Sequence, residues 1–164
     1  MERARRKMNN SLNVLSDSLD VKIEVLEKLL GLTNSQKRIF EDDSPDLEEF
    51  DTLFDEKDVL IDKLESLDEG FDELYKRVSD QLKENRMQFA DQIRQLQDKI
   101  SRITELSASI QAQEVRNKKM IEESFAKERQ GIKQNRVSSK AAYDYYRNMS
   151  GMNLQSSGVW DSKN

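Results

Sequence analysis

The chain of 164 residues contains no histidine and no cysteine, and it has one proline and five glycines. Without histidine or cysteine it cannot build a histidine acid–base relay, a cysteine nucleophile, a structural zinc site or a Glu-x-x-His di-iron site. The glycines do not form a phosphate-binding loop, and no acidic segment has the spacing of an EF-hand. The sequence therefore predicts a protein that is not an enzyme and has no catalytic residues, no cofactor and no metal site.

Long apolar segments are also missing from the chain. No run approaches the ~18 apolar residues that a membrane-spanning helix needs. The basic residues 3–7 are not followed by a continuous apolar segment, so they do not resemble a secretory signal. We therefore expect a cytoplasmic protein without stable membrane insertion. Met1 and Met8 are both compatible with the native start, and in the second case residues 1–7 are an extension or a frayed end.

Charged residues make up 36% of the chain and hydrophobic residues 35%, a balance typical of long, solvated helices. The net charge of −5 is unevenly distributed: residues 41–73 hold sixteen acidic residues and two lysines, whereas residues 116–147 hold nine basic residues and four acidic ones. Solvated helix faces that attract each other explain this pattern. A nucleic-acid surface would need a larger basic excess, so we expect no nucleic-acid binding.

The first predicted helix covers residues 10–40. Its apolar residues recur every three or four positions, which places them on one face of a helix. This face contains Leu12, Leu15, Leu19, Ile23, Leu26 and Leu30, and a second apolar face contains Val14, Val21, Val25 and Leu32. Two apolar faces indicate a helix that contacts two neighbours, or one neighbour and an external partner.

A break at residues 41–45 precedes the second predicted helix. Ser44 suits the N-cap position and Pro45 suits the first helical turn. Because the connection is short, the two helices should be antiparallel. The apolar face of the second helix, which Lys57 interrupts, contains Leu47, Phe50, Phe54, Ile61, Leu64 and Leu67. Gly70 is expected to kink or break this helix, after which the apolar period resumes.

The third predicted helix begins near Met87, after a turn at Asn85, and ends at about Gln134. One face of it changes from apolar to polar without losing its period of three and four residues, as in a coiled coil. In order, this face contains Phe89, Ile93, Leu96, Ile100, Ile103, Ser107, Ile110, Glu114, Asn117 and Ile121. A dry core disfavours the polar residues. Either the helix leaves the bundle near Ser107, or it offers this face to a partner.

The predicted helix lengths favour an uncovered end of the third helix. At 1.5 Å per residue the third helix is about 70 Å long and the first about 45 Å. The first two helices should therefore leave the part with Glu114 and Asn117 uncovered, although these two residues could also lie on an ordinary exposed helix face. The fold prediction is all-α: an elongated antiparallel three-helix bundle or coiled coil over residues 1–136, with a kinked or broken second helix.

Residues 137–164 form the second predicted region, a flexible and weakly structured tail rich in serine, glycine and asparagine. Three of the four tyrosines and the single tryptophan lie in it. Disordered tails usually lack aromatic residues. The tail is therefore expected to be a docking segment that becomes ordered on contact, or a segment that folds back onto the bundle.

Several segments resemble the FlgN-type flagellar export chaperones, particularly clostridial members. They are residues 109–119 (SIQAQEVRNKK) and residues 140–146 (KAAYDYY). The closing residues 160–163 (WDSK) are similar to the Phe-Asp-Ser-Lys close of Gram-positive members. The resemblance covers nearly all of the chain from Met8, and the tail motifs are more specific than the leucine-rich helices.

The resemblance implies a cytoplasmic chaperone of the flagellar type III export system. Such chaperones keep hook-associated (hook–filament junction) proteins soluble and deliver them to the export gate. In the family, the distal part of the last long helix binds an amphipathic C-terminal helix of the cargo, and the tail contacts the gate. Matched onto this chain, the cargo groove would contain Ile110, Asn117, Met120, Ile121 and Phe125, and the gate contact would use Tyr143 and Tyr146.

Two further hypotheses come from other classes of protein. One is a coiled-coil scaffold or homo-oligomerisation module, whose mass would rise with concentration, whereas a chaperone would bind one cargo as a monomer or homodimer. The other is a metal-dependent enzyme that binds divalent ions in residues 41–73.

Overall fold

The computed structural model describes the backbone of residues 2–131 and the side chains of residues 2–127. Three helices follow one another: α1 (Glu2–Ile39), α2 (Leu47–Glu84) and α3 (Ala90–Gly131). The described residues contain no strand. The predicted all-α three-helix bundle is therefore confirmed, and no helix within residues 2–131 is long and apolar enough to cross a bilayer.

Helix α1 packs against both other helices, whereas α2 and α3 approach each other less closely. Its direction relative to α2 is antiparallel, because Lys22 pairs with Asp68 at 2.5 Å while the rings of Phe40 and Phe50 lie 5.2 Å apart. Its direction relative to α3 is parallel. Near the start of both helices, Gln92 Nε2 donates to Asn9 Oδ1 at 3.2 Å, and residues later in α1 bond to later residues of α3.

The core follows the predicted apolar faces. It runs the length of the bundle and includes Met8, Leu12, Leu15, Leu19, Leu26, Leu29, Ile39, Phe50, Ile61, Phe71, Val78, Phe89, Leu96, Ile100, Ile103, Leu106, Ile110 and Ile121. On the second predicted face of α1, Val25 is buried and Val14 is exposed. At roughly 25 cal/mol per Å² of buried apolar surface, this continuous core is the main stabilising contribution.

Helix α1 begins at Glu2, eight residues before the predicted start. Met8 lies in the core, which ties the beginning of α1 to the bundle. With 38 residues in α1 and 42 in α3, the two helices are about 57 and 63 Å long. The large mismatch in length that the sequence suggested is therefore wrong, and α1 accompanies α3 along most of its length.

Asp46, not Ser44, is the N-cap of α2. Its carboxylate accepts hydrogen bonds from the backbone N–H groups of Glu48 at 3.1 Å and Glu49 at 3.2 Å. A carboxylate at this position caps the helix and also places a negative charge at the positive end of the helix dipole, which the hydroxyl of Ser44 would not do. Pro45 therefore precedes the cap and does not occupy the first helical turn.

Helix α2 continues through Gly70, so a break there is wrong, and a kink stays a prediction. A glycine inside a helix costs about 1 kcal/mol relative to alanine. Phe71, the next residue, is buried in the core. Full burial of a phenylalanine side chain contributes about 1.5–3 kcal/mol, which outweighs that cost. The predicted turn at Asn85 is confirmed, because Asn85 caps α2 and its N–H bonds to the carbonyl of Leu82 at 3.1 Å.

Candidate functional site

The end of the bundle that contains the α1–α2 turn, called the distal end below, holds a group of buried polar side chains. We call this group the polar layer. It consists of Thr33 and Gln36 from α1, Lys57 from α2, and Gln113, Glu114 and Asn117 from α3. All three helices contribute to it, so the polar layer crosses the whole core.

An ion pair lies at the centre of the polar layer. Lys57 Nζ donates to Glu114 Oε1, and it also donates to Gln36 Oε1 at 2.8 Å. The side chain of Lys57 is 0% exposed and that of Glu114 is 10% exposed. Since a buried charge is tolerated only when it is paired and hydrogen-bonded, these contacts fix the position of α2 relative to the other two helices.

Amide and hydroxyl groups join α1 to α3 around this ion pair. Asn117 Nδ2 donates to the carbonyl oxygen of Thr33 at 3.0 Å. The hydroxyl of Thr33 lies 2.7 Å from the carbonyl oxygen of Leu29 and 3.2 Å from Glu114 Oε1, and its single proton can be donated to either acceptor. These bonds set the parallel register of the two helices.

Gln113 extends the polar layer toward the surface. Its Nε2 donates to Asn117 Oδ1 at 2.8 Å, which orients the Asn117 amide toward α1. Its Oε1 accepts from Arg116 Nε at 3.2 Å and from Arg116 Nη2 at 3.1 Å. The exposed guanidinium is thus connected through two amides to the backbone of Thr33.

Burial lowers the pKa of Lys57 below its ordinary value, and the neighbouring Glu114 carboxylate offsets part of that effect. The direction shows that desolvation of the ammonium group is the larger contribution. Replacement of a buried ion pair by apolar residues of similar volume is often neutral or stabilising, so the burial of Lys57 and Glu114 is weak evidence for added stability.

Apolar residues one or two turns away enclose the polar layer on both sides. Toward the middle of the bundle these are Leu29, Ile61 and Ile110, and toward the α1–α2 turn they are Ile39, Phe50 and Ile121. The polar layer therefore lies within the one apolar core, between its small distal part and its longer central part.

The structure covers the face of α3 that the sequence predicted to be open. Glu114 and Asn117 are buried, because the last third of α1 and the first turns of α2 lie against them. The prediction of an uncovered polar face is therefore wrong. Asn117 lies opposite Thr33, so Ile39, six residues later, lies near residue 123, and of the described part of α3 only the last turns extend past α1.

The five residues predicted for a cargo groove fall into two groups. Ile110, Asn117 and Ile121 are inside the core, with exposed fractions of 5%, 0% and 1%. Met120 and Phe125 are half-buried, and Phe125 packs against the edge of the core. No preformed groove brings all five to the surface. Tyr143 and Tyr146 lie outside the described residues.

Sequence reasoning noted Lys57 only as an interruption of the apolar face of α2, and it did not single out Thr33, Gln36 or Gln113. The signal was present in the spacing. Lys57 continues the steps of three and four between Phe54 and Ile61, as Glu114 does on α3. A basic residue on one inward face and an acidic residue on another indicate a buried ion pair.

Metal binding has no structural support in the acidic segment that is described. Among the side chains of residues 2–127, no group of three or more aspartates and glutamates is arranged to hold a metal ion. Most acidic residues of α2 are exposed.

The fold and the polar layer define a three-helix bundle protein whose helices are held in a fixed register at one end. The model of one protein family, described as FlgN protein, matches residues 8–145. The chain belongs to the FlgN family, and membership implies the role of a flagellar export chaperone. No curated protein and no solved structure matches the chain.

Proposed function

We propose that this protein is a cytoplasmic chaperone that binds hook-associated (hook–filament junction) proteins and delivers them to the flagellar export gate. The observation that carries the proposal is the family match over residues 8–145. The helical bundle is compatible with it, because an amphipathic helix of a partner binds well between other helices.

The proposed cargo surface is the distal part of α3, with Ile110, Asn117, Met120, Ile121 and Phe125. Met120 and Phe125 are the members that a cargo can reach directly, because they are half-buried at the edge of the core. The flexible thioether side chain of Met120 suits contacts with more than one cargo. Ile110, Asn117 and Ile121 take part when α1 or α2 moves away from this face.

Tyr143 and Tyr146 are proposed to contact the export gate. Their support is the resemblance of residues 140–146 to the tail of FlgN-type chaperones, and the match of the family model extends to residue 145. In this proposal, Tyr143→Ala lowers export and leaves cargo binding intact. Loss of cargo binding in that variant would refute the separation of the two roles.

Co-purification with hook-associated proteins of the same organism tests the cargo surface. Met120→Asp and Phe125→Asp should each abolish the complex, because a carboxylate in a helix–helix interface is left without a counter-charge. Val14→Asp is the matched control, since Val14 is an exposed aliphatic residue at the other end of the bundle. Cargo binding that survives both distal substitutions, with circular dichroism unchanged, would reject this surface.

Sedimentation of the free chain and of the mixture decides between the chaperone and a scaffold. A chaperone should form one complex with its cargo, and the free chain should be a monomer or a homodimer of constant mass. A mass that rises steadily with concentration, without cargo binding, would instead support the coiled-coil scaffold.

A further inference from the structure

The polar layer lies between the distal end of the core and the rest of it. Apolar contacts make a core cooperative, because each side chain that leaves exposes its neighbours to water. Here an ammonium, a carboxylate and amides occupy part of the core between these distal residues and the centre of the bundle, although Ile39, Phe50 and Ile121 belong to the same apolar cluster as the central residues. When this end opens, water solvates those groups and offsets part of the lost contacts.

Helix α2 has far fewer contacts with α3 than with α1. Helix α2 packs mainly on α1, and its link to α3 in the polar layer is the bond from Lys57 to Glu114. Residues 41–58 also contain ten acidic side chains and one basic one, and nearly all the acidic ones are exposed. Mutual repulsion of these charges opposes the compact arrangement of the segment.

We propose that the polar layer makes the distal end a separately opening unit, and that a cargo helix binds there by taking the place of the first turns of α2 against α1 and α3. The second half of this inference rests on the proposed function. Opening would uncover the buried members of the cargo surface, Ile110, Asn117 and Ile121, which the closed bundle hides.

The segment that now occupies the site defines the chemistry of the partner. Phe50 fills the apolar group at the distal end, Lys57 meets Glu114, and Ile61 contacts the central core. A helix that takes this place must bring a lysine or arginine to Glu114, since otherwise it buries a carboxylate without a counter-charge. The partner is therefore an amphipathic helix with large apolar residues and one basic residue between them on the same face.

Hydrogen exchange of the free chain tests the separate opening without any cargo. Amides of residues 29–39, 47–57 and 113–121 should exchange faster than amides equally far from the helix ends at the opposite end of the bundle.

In the double variant Lys57→Met/Glu114→Met the exchange of the distal amides should slow by about tenfold or more, since replacement of a buried ion pair by apolar residues is often stabilising. Lys22→Met/Asp68→Leu is the control, because that ion pair also joins α1 to α2 but lies outside the polar layer. Equal exchange at both ends, or no change in the double variant, overturns the separate opening.

Binding of a synthetic peptide tests the replacement. The peptide covers the C-terminal amphipathic helix of the hook-associated protein that co-purifies with the chain. Slower association with the Lys57→Met/Glu114→Met variant than with wild type supports the opening step, and unchanged association overturns it.

A second experiment replaces one basic residue of the peptide by methionine. This change should weaken binding to wild type about tenfold or more, as expected for a buried charge pair, and should have little effect on binding to the double variant. If no basic residue of the peptide behaves in this way, the pairing with Glu114 is wrong. If neither the peptide nor the intact hook-associated protein binds wild type, the proposed function fails. Hydrogen exchange alone then still decides whether the distal end opens separately.

Discussion

Lys57 on α2 and Glu114 on α3 form a hydrogen-bonded ion pair in the core, 57 residues apart in the chain. Replacement of one partner should destabilise the protein much more than replacement of both. Lys57→Met alone should destabilise the protein by about 3–5 kcal/mol, because the Glu114 carboxylate stays in the core after its counter-charge is removed. Urea unfolding followed by circular dichroism measures this free energy.

The double variant Lys57→Met/Glu114→Met should regain most of that loss and can exceed the wild type by about 1–4 kcal/mol. If the double variant is as unstable as the single one, the two side chains contribute independently and the ion pair does not explain their burial.

The protein should become more stable as the pH rises, because the pKa of Lys57 is lowered in the folded state. Burial lowers the pKa of Lys57 in the folded protein below its ordinary value of 10.5, so between these two pKa values the unfolded chain binds more protons at this site than the folded one. The free energy of unfolding then increases with pH in that window, by at most about 1.4 kcal/mol per pH unit for one proton. Urea titrations at several alkaline pH values give the free energies of unfolding of wild type and Lys57→Met. The difference between the two isolates the effect of Lys57. A difference independent of pH would contradict the lowered pKa.

Asp46→Ala should destabilise the protein by about 0.5–2 kcal/mol, because the backbone N–H groups of Glu48 and Glu49 lose their acceptor at the start of α2. Ser44→Ala serves as the control and should change the free energy of unfolding by less than about 0.5 kcal/mol. Thermal denaturation of the two variants side by side measures both. The reverse order would identify Ser44 as the cap.

Gly70→Ala should stabilise the protein by about 0.4–1 kcal/mol, since alanine restricts the unfolded chain and favours the helix. Apart from its chain neighbours and the backbone of its own helix, an added Cβ meets no atom within 4 Å, so no tertiary contact opposes the gain. Gly31→Ala in α1 has the same open surroundings and should behave alike. Destabilisation by Gly70→Ala in a urea titration would show that α2 is not a regular helix at this position.

The helices and their inward faces could be predicted from the sequence, because the spacing of leucine, isoleucine and phenylalanine determines which residues share a side. The sequence did not show whether another helix covers a given face. For Glu114 and Asn117 it depended on the register between α3 and the other two helices, which the contacts with Thr33 and Lys57 set and which apolar spacing alone does not determine. The break at Gly70 was predicted wrongly because the local preference of glycine was weighed without the burial of Phe71.

The position of Lys57 also bears on the order in which the chain assembles during synthesis. Helices α1 and α2 leave the ribosome first and can form their antiparallel hairpin, but Glu114 follows 57 residues later. Until then the ammonium group of Lys57 stays in water, because burial without the carboxylate is unfavourable. The distal end of the hairpin therefore closes only when α3 arrives, and α3 completes the core along the surface of α1 that is already folded.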